Sequence, residues 1–145
     1  MTQPTDTVSA LKTIPLLAGL PHSDLEELAK KVTEASYAVG TELIKEGTSG
    51  SSVFLIVDGE CEVRRLNVRI RTLGPGEFFG ELSILDPAPR TASVRVTEAA
   101  RVLILEGKDF RNALKSNMQM AQKLIIALAE RLRRMTDEFA PRAKG

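Results

Sequence analysis

The chain has one cysteine, one histidine and a formal net charge of only +1 over 145 residues. A single cysteine, Cys61, excludes an intramolecular disulfide. A single histidine, His22, excludes the several-histidine metal sites that small β-barrels build. It would also have to serve any Ser/His/Asp triad, and no nucleophile elbow accompanies it. His22 follows Pro21 just before a helical stretch, where an exposed side chain is expected. No catalyst, cofactor or metal site is expected, so the chain reads as a non-enzyme. Charge so close to balance gives no footing for a nucleic-acid or membrane surface. No basic-then-apolar leader opens the chain, and no run approaches the roughly 18 apolar residues of a membrane span. Internal repeats and low-complexity segments are missing as well. A cytoplasmic protein without direct nucleic-acid or membrane partners is the expectation.

What is present suits one domain spanning residues 1–145, with 43% hydrophobic and 27% charged residues and enough length to bury a core. Met1 to Thr7 reads as a polar lead-in. Helices are expected within residues 8–33. Ser9–Leu17 starts one, limited by Pro15. Ser23-Asp24-Leu25-Glu26 starts the next, with Ser23 as N-cap, Glu26 as its capping-box partner, and Leu25, Leu28, Ala29 and Val32 on one face.

From Ala35 the hydrophobic period changes to two. Residues 35–106 break into short strands closed by turn signals: Ser36–Val39, Glu42–Lys45, Ser52–Val57, Glu60–Arg65, Val68–Leu73, Thr91–Val96 and Arg101–Leu105. Asp58-Gly59 is the strongest hairpin signal among them, because both residues tolerate positive φ. Parity puts Cys61, Val63, Val68 and Ile70 inside, opposite Glu60, Glu62, Arg64, Arg69 and Arg71. Cys61 is then a small buried hydrophobe rather than a reactive thiol. Many short strands at this spacing make a sandwich or barrel.

Residues 108–140 return to helical period. Phe110, Ala113 and Leu114 share a face before Ser116-Asn117 interrupts. The last helix runs from about Met118 to Phe139 and stops before Pro141. Met118, Ala121, Ile125, Leu128, Leu132, Met135 and Phe139 occupy heptad a and d positions, which predicts a homodimer; packing on the barrel as a lid is the other use of such a stripe. Arg131, Arg133 and Arg134 alternate with acids and read as a solvated helix face.

One stretch carries the chemistry. Gly76 to Leu85 places two glycines before a short helix that begins at Glu81, and Pro87 and Pro89 then lead to Arg90-Thr91-Ala92-Ser93-Val94. A helix start presents unpaired N–H groups and partial positive charge, here at Leu82 and Ser83, which suits a phosphate or carboxylate. Arg90 supplies a two-pronged countercharge, with Thr91 and the Ala92 N–H beside it. Glu81 repels an anion unless the guest also offers a hydroxyl, and an anion with a neighbouring hydroxyl describes a ribose phosphate. The plain alternative makes Glu81 a surface acid and Arg90 a solvated loop charge. The glycines and small residues between them weigh against that, because they let backbone approach a ligand.

Phe79-Gly80-Glu81-Leu82-Ser83 followed by Pro89-Arg90-Thr91-Ala92-Ser93-Val94 resembles the phosphate-binding cassette, here residues 76–94, of the cyclic-nucleotide-binding domains. The resemblance runs from about Leu17 to Phe139, including the glycine-punctuated strands and the closing helix. It implies an α+β, mainly β fold: an antiparallel β jelly roll or barrel with an N-terminal helical segment and a long C-terminal helix. It implies that Gly80 and Glu81 contact the ribose 2′-hydroxyl. Arg90 then holds the cyclic phosphate with Thr91 and main-chain N–H groups near Leu82, Ser83 and Ala92. The base falls against Val63 and Ile70, with Thr136 as a cap. Thr91 resembles the cGMP-dependent kinases, but the same Arg-Thr-Ala-Ser-Val run occurs in channels that favour cAMP; cAMP is expected and cGMP is the alternative. The expected protein is a stand-alone receptor that relays occupancy to an effector protein through its last helix. Two alternatives stand beside it: a ligand-independent interaction module on the same fold, and a regulatory fragment of a larger transcription factor or channel.

Overall fold

Val53 and Leu55 alternate along the chain with Phe54 and Ile56, and all four are buried. A strand buried on both faces must have a packed layer on each side. The computed structural model, which describes residues 4–86 and 88–139, supplies both layers. Helices α1 (Pro4–Lys12), α2 (Pro15–Ala18) and α3 (His22–Ala29) precede strands β1 (Thr33–Tyr37), β2 (Glu42–Ile44), β3 (Ser52–Arg65), β4 (Val68–Leu73) and β5 (Phe78–Phe79). After the short helix α4 (Leu82–Leu85) come β6 (Ser93–Glu106), α5 (Gly107–Ser116) and α6 (Met118–Phe139). The strands form one antiparallel sheet in the order β1-β6-β3-β4, with β2 on β6 and β5 on β3, rolled into a jelly-roll barrel. Ile44, Phe54, Ile56, Cys61, Leu73, Phe79 and Val102 fill its inside, where the Phe54 and Phe79 rings stack at 4.9 Å. Val53, Leu55, Leu103 and Leu105 face outward against Leu11, Leu25, Phe110, Met120 and Leu124 of the helices and Ile14 between α1 and α2.

The hairpin expected at Asp58-Gly59 is not there. The two strands on either side of it are one, β3, paired along most of its length with the equally long β6. Gly59 keeps the positive φ (93°), but as an irregularity inside the ladder, where a Cβ would come within 2.3 Å of the Ala99 carbonyl oxygen. The register shifts there by a net one residue, so even positions face the barrel interior before the shift and odd positions after it. The two-residue turn with positive φ falls instead at Leu66-Asn67 (51° and 65°), between β3 and β4.

Another irregularity corrects the parity of β4. The register slips between Val63 and Arg64, which brings Arg71, not Ile70, opposite Val63. Ile70 is 39% exposed and Val68 64%, so neither lines the interior; Leu73, opposite Cys61, does. The helix expected to be capped by Ser23 begins two residues earlier, without a side-chain cap: Pro21 is its N-cap, and the Pro21 carbonyl accepts from Asp24 and Leu25. Helix α1 also starts within the stretch read as a lead-in, and the sheet begins at Thr33 rather than Ala35. Among the described residues no helix is long and apolar enough to cross a membrane.

Candidate functional site

Arg90 precedes β6 and reaches back to the turn after β5 and to the start of β3. Its guanidinium is buried, with Nη1 donating to the Gly80 carbonyl (2.9 Å) and Nη2 to the Ser52 carbonyl (3.2 Å). Among the described residues no carboxylate lies within ion-pair distance of it. Burial pushes its pKa down, while the field of Glu81 pushes it up. Two glycines make the room. A Cβ on Gly50 would sit 2.5 Å from Nη2, and Gly80, at φ 96°, would place one 2.5 Å from the Ser52 oxygen. The phosphate-facing arginine of the sequence reading is therefore a buried cation whose protein partners are carbonyl oxygens.

Glu81 is 2% exposed at the start of α4. It pairs with Arg131, which reaches in from α6: Nη1 donates to Glu81 Oε1 at 2.5 Å and Nη2 to the Phe78 carbonyl at 2.8 Å, while the guanidinium lies 4.9 Å over the Phe78 ring. The first backbone bonds of α4 are donated by Ile84 and Leu85, so the N–H groups of Leu82 and Ser83 lie ahead of the helix's own ladder. Arg111 of α5 donates to the Ile84 carbonyl and ties the far end of α4 to the helical layer.

Val63, Gly80, Glu81, Leu82, Ser83, Arg90, Thr91 and Ala92 line one cavity, together with Ile44, Arg71, Phe79, Val94 and Arg131. Two residues expected at the base pocket do not reach it. Ile70 is displaced by the β4 irregularity, and Thr136 is exposed on α6, its hydroxyl donating to the Leu132 carbonyl of its own helix (2.9 Å). Two residues had been missed. Arg71, placed outside by strict alternation, lines the cavity; burial and the like charges of Arg131 and Arg134 lower its pKa against the raising fields of Glu77 and Glu81. Arg131, read as part of a solvated face, keeps only 16% of its side chain exposed. A usable signal existed, since Met120, Leu124, Ala127 and Arg131 follow one another at four-, three- and four-residue spacing on the packed side of α6. The cavity measures ≈ 90 Å³, below the roughly 300 Å³ at which small-ligand sites begin.

The expected heptad stripe is not the packed face of α6. Met118, Ile125, Leu132 and Met135 are 72%, 65%, 65% and 46% exposed, Ala121 and Leu128 are half-buried, and the Phe139 side chain lies outside the described residues. Cys61 is fully buried, and desolvation with the nearby Glu60 charge pushes its thiol up to about 11. His22 is exposed beside Glu26. Among the described residues no cluster of His, Cys, Asp and Glu is arranged to hold a metal ion.

The barrel topology, with a buried arginine and a buried glutamate on one cassette, is the pattern shared with one domain family. The chain belongs to the cyclic nucleotide-binding domain family, whose sequence model matches residues 34–117. It is 27% identical over 130 residues to the CRP-like cAMP-activated global transcriptional regulator of Mycobacterium tuberculosis, covering 86% of this chain and 58% of that protein. It is 34% identical over 105 residues to the cAMP-dependent protein kinase regulatory subunit of Eremothecium gossypii, covering 72% of this chain and 23% of the subunit. The regulatory domain of Toxoplasma gondii PKA, crystallised with cAMP, shares the fold with a TM-score of 0.77 at 20% identity, over 88% of this chain and 50% of that one. The chain thus spans little more than half of the bacterial relative and about a quarter of the fungal one.

Proposed function

We infer that this domain is a cyclic-nucleotide receptor without enzymatic activity, and that its product is a change of shape. One observation carries the reading. Arg90 is a buried cation with no carboxylate partner among the described residues, and it is held at the wall of a cavity that also contains Glu81. A cyclic phosphate supplies the missing negative charge. The Thr91 hydroxyl and the N–H groups of Leu82, Ser83 and Ala92 take its remaining oxygens, Glu81 accepts from the ribose hydroxyl with the Gly80 backbone beside it, and the base extends over Val63. The named bacterial and kinase relatives are cAMP-activated or cAMP-dependent, which favours cAMP, with cGMP as the alternative.

Arg131 links occupancy to output. It belongs to α6 but pairs with the glutamate the ribose needs, so loading the cavity must rearrange α6. Ligand moves that equilibrium only by binding one arrangement better than the other. The exposed stripe of Met118, Ile125, Leu132 and Met135 is the surface through which α6 would meet an effector protein or a second copy in the cytoplasm. Calorimetric titration with cAMP and cGMP is the test. Binding of neither tighter than about 100 μM would sink the receptor reading.

The ≈ 90 Å³ cavity and the Glu81–Arg131 pair also favour a second reading, a ligand-independent interaction module locked in this closed form. An effector captured equally with and without nucleotide selects it.

A further inference from the structure

A wider cleft opens on the other side of Arg131. It has a volume of ≈ 450 Å³ and lies between α2, the β4–β5 turn and the middle of α6. Leu16, Phe78 and Ala127 give it an apolar floor, and Ile126, 57% exposed, stands at its edge. Lys123, Arg131 and Arg134 line it against Glu77 and Glu130. Glu77 is already engaged, its Oε2 accepting from the Gly74 N–H at 2.7 Å. Across the strand, Arg71 experiences both Arg131 and Arg134 as repelling like charges. Glu77 and Glu81 act on Arg71 in the opposite sense, but the cleft's own lining carries three cations against two acids and is cationic on balance. Apolar floor, cationic wall and a volume in the small-ligand range together describe a site for an anionic head on an apolar body.

We propose that this cleft is a second binding site, for a small amphipathic carboxylate or sulfonate, coupled to the nucleotide cavity through Arg131. The coupling rests on the receptor reading; the site itself does not. Arg131 lines both cavities. An anion that draws Arg131 and Arg134 to itself competes with Glu81 Oε1 for the Arg131 donor. Weakening that pair frees Glu81 to accept the ribose hydroxyl, so anion and nucleotide tighten each other's binding by the same factor.

The probe is 8-anilinonaphthalene-1-sulfonate, titrated by fluorescence into the full chain without nucleotide. One site is expected, weakened about tenfold or more by Ile126→Glu and by Arg134→Glu, both at exposed positions that leave the fold intact. Leu132→Glu, on the exposed stripe outside the cleft, leaves it unchanged. Wild-type affinity in both cleft variants, or loss in Leu132→Glu, overturns the site. With the probe saturating, cAMP binds about fivefold tighter or more in the wild type and gains nothing in Arg131→Met. An unchanged or weakened cAMP affinity in the wild type overturns the coupling. A chain that takes the probe in the cleft but binds no cyclic nucleotide overturns the coupling and the receptor reading together, and leaves the site standing.

Discussion

Replacing Arg131 with methionine keeps an unbranched side chain and removes the guanidinium, which both pairs with Glu81 and lies over the Phe78 ring. Glu81, 2% exposed, then loses its ion-pair partner. Stranding a buried charge in this way costs about 3–5 kcal/mol. Arg131 keeps 16% of its side chain in contact with solvent, so water partly takes its place and the lower end applies, about 3 kcal/mol. That is a large share of the roughly 5–15 kcal/mol that holds a domain together, yet the variant still folds. Urea denaturation followed by far-ultraviolet circular dichroism is the assay, because the chain has no tryptophan. With a slope of about 1–3 kcal/mol per molar urea, the midpoint falls by about 1–3 M. Glu81→Gln alone costs less, since it strands a guanidinium that water can reach. The double variant is more stable than the sum of the two losses implies, by about 1–3 kcal/mol. Strict additivity, or a midpoint that does not move for Arg131→Met, refutes the claim that this pair ties α6 to the cassette.

Gly80→Ala forces a side chain into φ 96° with its Cβ 2.5 Å from the Ser52 oxygen; it should cost about 3 kcal/mol by the same denaturation assay and loosen the seat of Arg90. Cys61 should resist a disulfide-exchange reagent in the native protein and react only on unfolding. Its thiol is buried and titrates at about 11 rather than the ordinary value near 9.0, so the native state holds the extra proton in between; the stability it contributes is complete below about 9 and falls as pH rises toward 11. Leu132→Glu should leave thermal stability within about 0.5 kcal/mol while abolishing any self-association seen by sedimentation, whereas Leu124→Glu, in the packed face, should unfold the domain.

The cassette was legible because its signals are local. Gly80, Glu81, the prolines and Arg90 lie within a few residues of one another, and each states a backbone or charge requirement without reference to the rest of the chain. The bounds of β4, Val68–Leu73, were legible for the same reason. What failed depended on partners far along the chain. Gly59 carries the same positive φ in a hairpin as in a ladder irregularity, and only the length of β6 decides between them. One extra residue in β4 exchanged Ile70 for Arg71 at the cavity wall, and alternation has no means of marking it. Arg131 meets Glu81 across 50 positions of sequence, so a charge run that looked solvated concealed a buried ion pair.

The central claim is that Arg90 waits for a phosphate. Calorimetric titration of cAMP and cGMP into the wild type and into Arg90→Ala tests it most directly. The account predicts one site per chain in the wild type, weakened in the variant by about 2–5 kcal/mol, roughly thirtyfold to several-thousandfold. Equal affinities in the two proteins would contradict it.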